Sequence, residues 1–202
     1  MVLRRWLGVW VVLTGLMLSL VACQPATPEQ AFLGTDIRHE TFGGPLALTD
    51  HHGVKRTLKD FRGKWVVLFF GYTHCPDVCP TTLGDTAAAL RLMPPEDAKK
   101  VQVIFVSVDP ERDTLAMLRD FVPYFHPDFL ALTGTEAELA QTAKDFRVVF
   151  SKHTTAGVGG YLVDHTAGSY VLDPEGKLSL FLPFAMPAAD MAHDLKLLMH
   201  PS

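Results

Sequence analysis

Cysteine, repetition and net charge are all in short supply in this sequence, and each shortage narrows what the chain can be. Three cysteines occur in 202 residues, too few for a scaffold stapled by several disulfides, so an apolar core must hold the fold. No internal repeat is visible, which sets aside solenoids and arrays. Lysine and arginine total 18 against 22 aspartates and glutamates, a formal net charge of −4, with a pI near 6.1. A mildly acidic chain of this kind is a poor match for nucleic acid as a partner. What the sequence does have is apolar residues, at 48%, enough for one globular domain with a real core.

The first residues read differently from the rest. Arg4 and Arg5 precede Trp6 to Val21, an uncharged apolar run that ends in Leu20-Val21-Ala22-Cys23. A basic start, an apolar stretch and small residues before a processing point are the layout of a secretory signal. The alternative is an uncleaved membrane anchor, but the run is somewhat short of the roughly 20 apolar residues a span needs. The Leu-x-x-Cys ending resembles the bacterial lipoprotein box, in which the cysteine, here Cys23, is acylated. The expected organisation is a lipoprotein-type signal peptide over 1–22, a polar tether over 23–38 and a folded domain over 39–202. The expected location is outside the cytoplasm, lipid-anchored at a membrane and facing the periplasm or the cell exterior.

Within the domain, Phe42 to Thr49 and Val54 to Leu58 flank the turn Asp50-His51-His52-Gly53 as two short strands. Trp65 to Phe70 is continuous, apolar and short, the pattern of a fully buried central strand. Gly71 to Pro80 is a loop that opens a helix, which runs over Leu83 to Met93 and stops at Pro94-Pro95. Val101 to Val108 is a second buried strand, and Asp109 to Asp113 ends it and caps a helix reaching Tyr124. Phe129 to Leu132 is a third strand, and Thr135 with Glu138 forms a capping box for the next helix. Phe146 to Lys152 is extended, and His153 to Gly160 is a loop. Asp173-Pro174-Glu175-Gly176 turns a hairpin between Ser169 to Leu172 and Lys177 to Phe184. Pro187 to Met199 closes the chain as a helix. Alternating strands and helices imply right-handed crossovers on a partly parallel sheet. The expected fold is an α/β thioredoxin-like sandwich: a central mixed β-sheet flanked by helices, with an extra N-terminal β-hairpin.

The chemistry concentrates in Gly71-Tyr72-Thr73-His74-Cys75-Pro76-Asp77-Val78-Cys79-Pro80, between a central strand and a helix. Ligands in open α/β sheets collect at the carboxyl ends of strands. Cys75 and Cys79 are four residues apart, a spacing that shares a face on a helix, but Pro80 belongs in a first turn, so the regular helix starts near Asp77 to Cys79 and the cysteines lie at its mouth. There the dipole favours thiolates. A disulfide between them would close too short a loop to add much stability, so a redox or a metal role explains the pair better than stapling. Two buried core thiols are the plainer alternative, but two prolines, an aspartate and a histidine crowd the pair.

His165, in Val163-Asp164-His165-Thr166, is the first candidate for a third ligand. In thioredoxin-like folds the loop before the terminal hairpin passes beside the cysteine loop. Tyr161 to Tyr170 lacks the substrate-contacting proline usual there in reductases. The alternative is a loop histidine bonded to its neighbours. His74 is the next candidate, while His39, His51, His52, His126, His153, His193 and His200 read as solvated. Met186, Met191 and Met199 are soft donors in principle, but the spacing of the last two fits core packing. Two sulfurs and one nitrogen suit copper, whereas structural zinc normally takes four protein ligands.

The same residues resemble the Sco/SenC family of copper-binding, thioredoxin-like proteins linked to assembly of cytochrome c oxidase. The resemblance covers Phe42 to Met199. It rests on the cysteine segment, on Val108-Asp109-Pro110-Glu111-Arg112-Asp113-Thr114, on Leu132-Thr133-Gly134 and on Asp164-His165-Thr166. It implies Cys75, Cys79 and His165 as copper ligands, and Asp109 as a nearby residue that affects copper chemistry. A helix N-cap is the other reading of Asp109. The resemblance further implies a metallochaperone that carries copper, as Cu(I) or Cu(II), to the dinuclear copper centre of cytochrome c oxidase. Its implied partners are the copper-site subunit of the oxidase, another copper chaperone and a thiol reductant. The alternative function is a thiol–disulfide oxidoreductase, with Cys75 and Cys79 as its redox pair, that keeps the target's cysteines reduced. Metal binding and disulfide formation compete for the same two sulfurs. A thiol peroxidase would need a reactive cysteine beside an activating cation, and copper ligation explains the pair better. Many family members carry a transmembrane helix, and the lipobox departs from them.

Overall fold

The computed structural model describes residues 31–154 and 160–201, and the folded unit spans Phe32–Pro201. The expected signal peptide, Cys23 and the first part of the expected tether lie outside the described residues.

The apolar run from Val66 to Phe70 forms the middle of β4 (Trp65–Gly71), each side chain at most 1% exposed. A strand covered on both faces has no polar side to present, which is why the run is continuous rather than alternating. β5 (Val101–Ser107) repeats the pattern and pairs parallel with β4, from Trp65↔Val101 to Gly71↔Ser107. Parallel neighbours need a crossover. It is supplied by α1 (Val78–Arg91) and the short α2 (Pro95–Ala98). A second crossover, α3 (Leu115–Phe121), leads to β6 (Leu130–Thr133), parallel to β5. α4 (Glu136–Asp145) begins with the expected Thr135–Glu138 capping box.

On the other side of β4, β9 (Ser169–Leu172) and β10 (Leu178–Leu182) form the expected antiparallel hairpin. α5 (Ala188–Met199) then packs against α1. Met191 is buried in the core and Met199 packs partly buried against it, as their spacing suggested, and Met186 is buried as well. With β1 (Thr35–Asp36), β2 (Leu48–Asp50) and β3 (Lys55–Arg56), the strands form an eight-stranded sheet ordered β1-β10-β9-β4-β5-β6-β2-β3. The sheet is mixed and flanked by helices, as the sequence led one to expect.

The departures from the sequence reading have physical causes. Thr35–Asp36, inside the stretch expected as a tether, pairs with β10. Just before it, the Leu33 and Gly34 N–H groups donate to the buried Asp194 carboxylate at 3.0 and 2.7 Å. A polar segment held by its backbone leaves no hydrophobic pattern to read. β2 is shorter than expected because Pro45 and Leu46, the latter at φ 54°, interrupt the extended run before it, and β3 because Thr57 caps a 3-10 helix over Leu58–Phe61. α3 starts later than expected. Its N-cap is Thr114, whose hydroxyl accepts from Met117 N–H at 3.3 Å, so Asp109 is not the cap. Finally, β7 (Phe150–Thr154) and β8 (Tyr161–His165) form a separate two-stranded sheet where an extended piece and a loop were expected. Most of the β7 side chains are exposed, so no alternation marks that strand.

Candidate metal centre

The cysteine pair sits where β4 gives way to α1. Asp77 is the N-cap of α1 but makes no side-chain bond to the helix backbone. Sulfur serves instead: the Cys79 N–H donates to Cys75 Sγ at 3.4 Å, which puts Cys75 at the positive end of the helix dipole. Pro80 falls in the first turn, where its missing N–H costs nothing. Cys79 is buried, Cys75 is partly exposed, and both are free thiols. Gly71 makes the room. A Cβ there would lie 2.7 Å from Cys79 Sγ and 2.8 Å from the Phe105 ring, so only glycine lets the sulfur rest on the strand end.

The third residue arrives from a distant part of the chain. His165 ends β8, and its Nε2 lies 3.3 Å from Cys79 Sγ. Its ring meets those of Phe69 and Tyr72 edge to face, with centroids 5.8 and 6.0 Å away. Its Nδ1 lies 3.1 Å from the Thr166 carbonyl oxygen. A carbonyl can only accept, so Nδ1 carries a proton and Nε2 is the nitrogen left to face the sulfurs. One donor atom each from Cys75, Cys79 and His165 lies within 4.8 Å of the other two. No fourth His, Cys, Asp or Glu joins this group among the described residues.

The two sulfurs ionise very differently. Cys75 is held down to about 3, first by the Cys79 thiol and then, against the opposing effect of burial, by His165 and nearby backbone N–H groups. Cys79 is pushed up by the adjoining Cys75 sulfur and by burial. The pair therefore holds one proton between two sulfurs and presents one thiolate near neutral pH.

The turn after β5 supports both halves of the group. Asp113, 1% exposed, accepts from the Thr73 N–H at 2.9 Å, the Thr73 hydroxyl at 2.6 Å and the Ser107 hydroxyl at 2.6 Å. It thereby ties the cysteine loop to the end of β5. Asp109 is fully buried and accepts from the Tyr161 hydroxyl at 2.7 Å and from Arg112 Nε. Asp109 thus touches the strand that bears His165 but is not one of the clustered donors. The sequence reading missed Asp113, Arg112 and Tyr161. Its one available signal was position: two of them share a segment with Asp109, and Tyr161 stands four residues before His165.

The other histidines stand apart from the group. His74 Nδ1 lies 3.0 Å from the Thr73 hydroxyl and takes no place among the clustered donors. His51, expected to be solvated, is 3% exposed. Its Nδ1 accepts from Ala131 N–H at 3.0 Å, so it serves as a core hydrogen-bonding residue joining the β2–β3 turn to β6.

A thioredoxin-like domain with a thiol pair at a helix mouth and an imidazole brought in by a separate hairpin is a dithiol domain with a soft-metal donor set. The chain belongs to the SCO1/SenC family, whose model matches residues 34–200. The mitochondrial SCO2 homolog of Bos taurus is 38% identical over 154 residues, covering 76% of this chain and 58% of that protein. The chain spans about half the length of the curated relatives it matches. Among solved structures, Arabidopsis thaliana ScoI with copper bound is 35% identical, with a TM-score of 0.74 over 79% of this chain and 99% of that one. Bradyrhizobium japonicum ScoI with copper bound is 43% identical, with a TM-score of 0.70 over 77% of this chain and 98% of that one.

The comparisons correct the expected location. A lipid-anchored domain facing the periplasm or cell exterior was expected, but the bovine relative and those of Arabidopsis thaliana and Saccharomyces cerevisiae are mitochondrial proteins. Among the described residues, no helix is long and apolar enough to cross a membrane.

Proposed function

We propose that this chain is a copper metallochaperone. It binds the ion through Cys75, Cys79 and His165 and delivers it to the copper-site subunit of cytochrome c oxidase for assembly of the dinuclear copper centre. The observation that carries this reading is the meeting of two sulfurs and one imidazole nitrogen within 4.8 Å. Thiolates suit Cu(I), and an imidazole beside thiolates also suits Cu(II). A three-donor set differs from the closed four-ligand arrangement of structural zinc and leaves the ion open to a receiving ligand. Cys75 is already ionised near neutrality, so binding displaces chiefly the Cys79 proton. Copper-bound relatives of the same fold support the choice of ion.

The test is a titration of the reduced, metal-free protein with Cu(I) and, separately, with Cu(II). The native chain should take up one ion. His165→Ala should retain copper far more weakly while its cysteines still form a disulfide, and Cys75→Ser should lose binding altogether. Unchanged affinity in His165→Ala would remove the imidazole from the site.

A second reading is favoured by the ionised, partly exposed Cys75 beside a buried Cys79: a thiol–disulfide oxidoreductase acting on the target's cysteines. The Cys75 thiolate would attack a target disulfide, and Cys79 would then displace the second target thiol. Two electrons pass to the target as the Cys75–Cys79 disulfide forms. Robust insulin reduction by the metal-free protein would favour this reading, and feeble turnover the first.

A further inference from the structure

We propose that Tyr161 and Arg112 are positioning residues: they latch the start of β8 to the body of the domain and so hold His165 against the sulfurs. The inference rests on the copper reading above for its consequence, though not for its geometry.

Among the described residues β8 pairs only with β7, in a two-stranded sheet separate from the main one. A lone hairpin is marginal in water, and β7 is largely exposed, so side chains must fix where β8 lies, and in its middle Val163 does so by packing into the core. At its far end the fixing is through the His165 ring, wedged against Phe69 and Tyr72. At its near end it is through Tyr161, which is held at three points. Its hydroxyl donates to Asp109 Oδ1 at 2.7 Å and lies 3.2 Å from Glu111 Oε2. Its carbonyl accepts from Arg112 Nη1 at 2.8 Å. Its ring lies under the Arg112 guanidinium, 3.7 Å from centroid to carbon.

Arg112 also donates through Nε to the buried Asp109 carboxylate. A buried carboxylate is strongly unfavourable without such partners, so the arginine cannot swing away freely. Its Nη2 is buried without a hydrogen-bond partner among the described residues, and its guanidinium carbon lies 5.5 Å from the centre of the Tyr72 ring. That ring is one of the two that wedge His165. Lys152 of β7 adds a bond to Glu111 at 2.8 Å. Segment 109–113 therefore brackets the site: Asp113 ties down the cysteine loop, and Asp109 with Arg112 ties down the histidine strand. Four residues of strand span about 13 Å, so the latch acts at a distance from the donor nitrogen and is no ligand itself.

The variant that isolates the latch is Tyr161→Phe, which removes the hydroxyl bond and keeps the ring under Arg112. Arg112→Lys keeps the charge near Asp109 and removes the fork onto the Tyr161 carbonyl, and it serves as the independent second variant. Amide hydrogen exchange over 150–154 and 161–165 is measured in the reduced, metal-free protein. Copper release to a chelator and the imidazole nitrogen coupling of the Cu(II) form in pulsed electron paramagnetic resonance are measured on the loaded full chain. Loss of a hydrogen bond to a charged group should speed hairpin exchange and copper release by about tenfold or more. The nitrogen coupling should weaken, while exchange in β4 and β5 stays unchanged. Faster hairpin exchange with native copper release and native nitrogen coupling would make Tyr161 merely structural and overturn the proposal, as would unchanged exchange in both variants. Failure of the native chain to bind copper would instead sink the copper reading, and the exchange measurement would still decide whether the latch exists.

Discussion

Replacing Asp113 by alanine removes the acceptor of three hydrogen bonds at once, two from Thr73 and one from Ser107. Bonds to a charged group contribute about 1.5–3 kcal/mol each, but they share one carboxylate and do not add. The two hydroxyls can also turn towards other acceptors: the Thr73 oxygen already lies 3.0 Å from His74 Nδ1. The Thr73 N–H has no such freedom. Removing a buried charge recovers part of its desolvation penalty, so the net loss for Asp113→Ala should be about 3 kcal/mol. Asp113→Asn keeps one carbonyl oxygen for the Thr73 N–H and turns its amide to the Thr73 oxygen, which can accept while its own proton goes to His74. Its loss should be about 1 kcal/mol. Urea unfolding of the reduced, metal-free protein reads both values, and amide exchange at Thr73 should rise in the alanine variant ahead of global unfolding. Equal losses in the two variants, or a loss below about 1 kcal/mol for alanine, would refute the claim that Asp113 clamps the cysteine loop.

Two further outcomes follow from the sulfurs. Cys75 ionises far below its unfolded value, so it contributes stability that is present above the unfolded pKa and lost as pH falls towards about 3. Cys79 shifts the other way and erodes that gain once the unfolded thiol ionises, above about pH 8.5. The urea midpoint of the native chain minus that of Cys75→Ser should therefore grow from pH 4 to pH 8, and a difference flat in pH would contradict the assignment of the thiolate to Cys75. Gly71→Ala would drive a Cβ to 2.7 Å from Cys79 Sγ and 2.8 Å from Phe105. It should destabilise the domain by about 1–3 kcal/mol and weaken copper retention, whereas native stability and native affinity together would show that the sulfur has room to spare.

The parts of the fold that burial dictates were legible in the sequence. The runs that became β4 and β5 are apolar because both their faces are covered, and the capping box at Thr135 is a local pattern with a local cause. The cysteine pair was legible for the same reason, since a strand, a glycine and a helix start lie in one stretch of chain. The meeting of His165 with those sulfurs was anticipated only through knowledge of how such folds bring loops together. What escaped was structure held by polar contacts. β7 and β8 are fixed by Tyr161, Arg112 and Asp109, and β1 is preceded by backbone donors bound to a buried aspartate 160 residues further on. Neither leaves a period in the sequence, because the partners come from elsewhere. Asp113 escaped because an aspartate just before a helix reads as a cap, and here the cap is Thr114.

The three donors differ in how firmly the chain holds them. Cys79 is buried on a helix packed against α5, and its loop is clamped by Asp113. Cys75 is tied to the same helix start through the Cys79 N–H. Of the three donors, His165 alone rides on a hairpin outside the main sheet, held by side chains at its two ends and by Val163, buried in the core, between them. Local opening takes the element with fewest buried contacts first, so the imidazole can leave while both sulfurs stay in place. A carrier must hold its ion and then let it go by exchange with a receiving ligand, and exchange needs one bond that yields before the others. Unequal support supplies that order without any change in the donors themselves. On this argument the distance between the latch and the sulfurs is functional: retention can be tuned at Tyr161 and Arg112 while the chemistry at Cys75 and Cys79 stays the same.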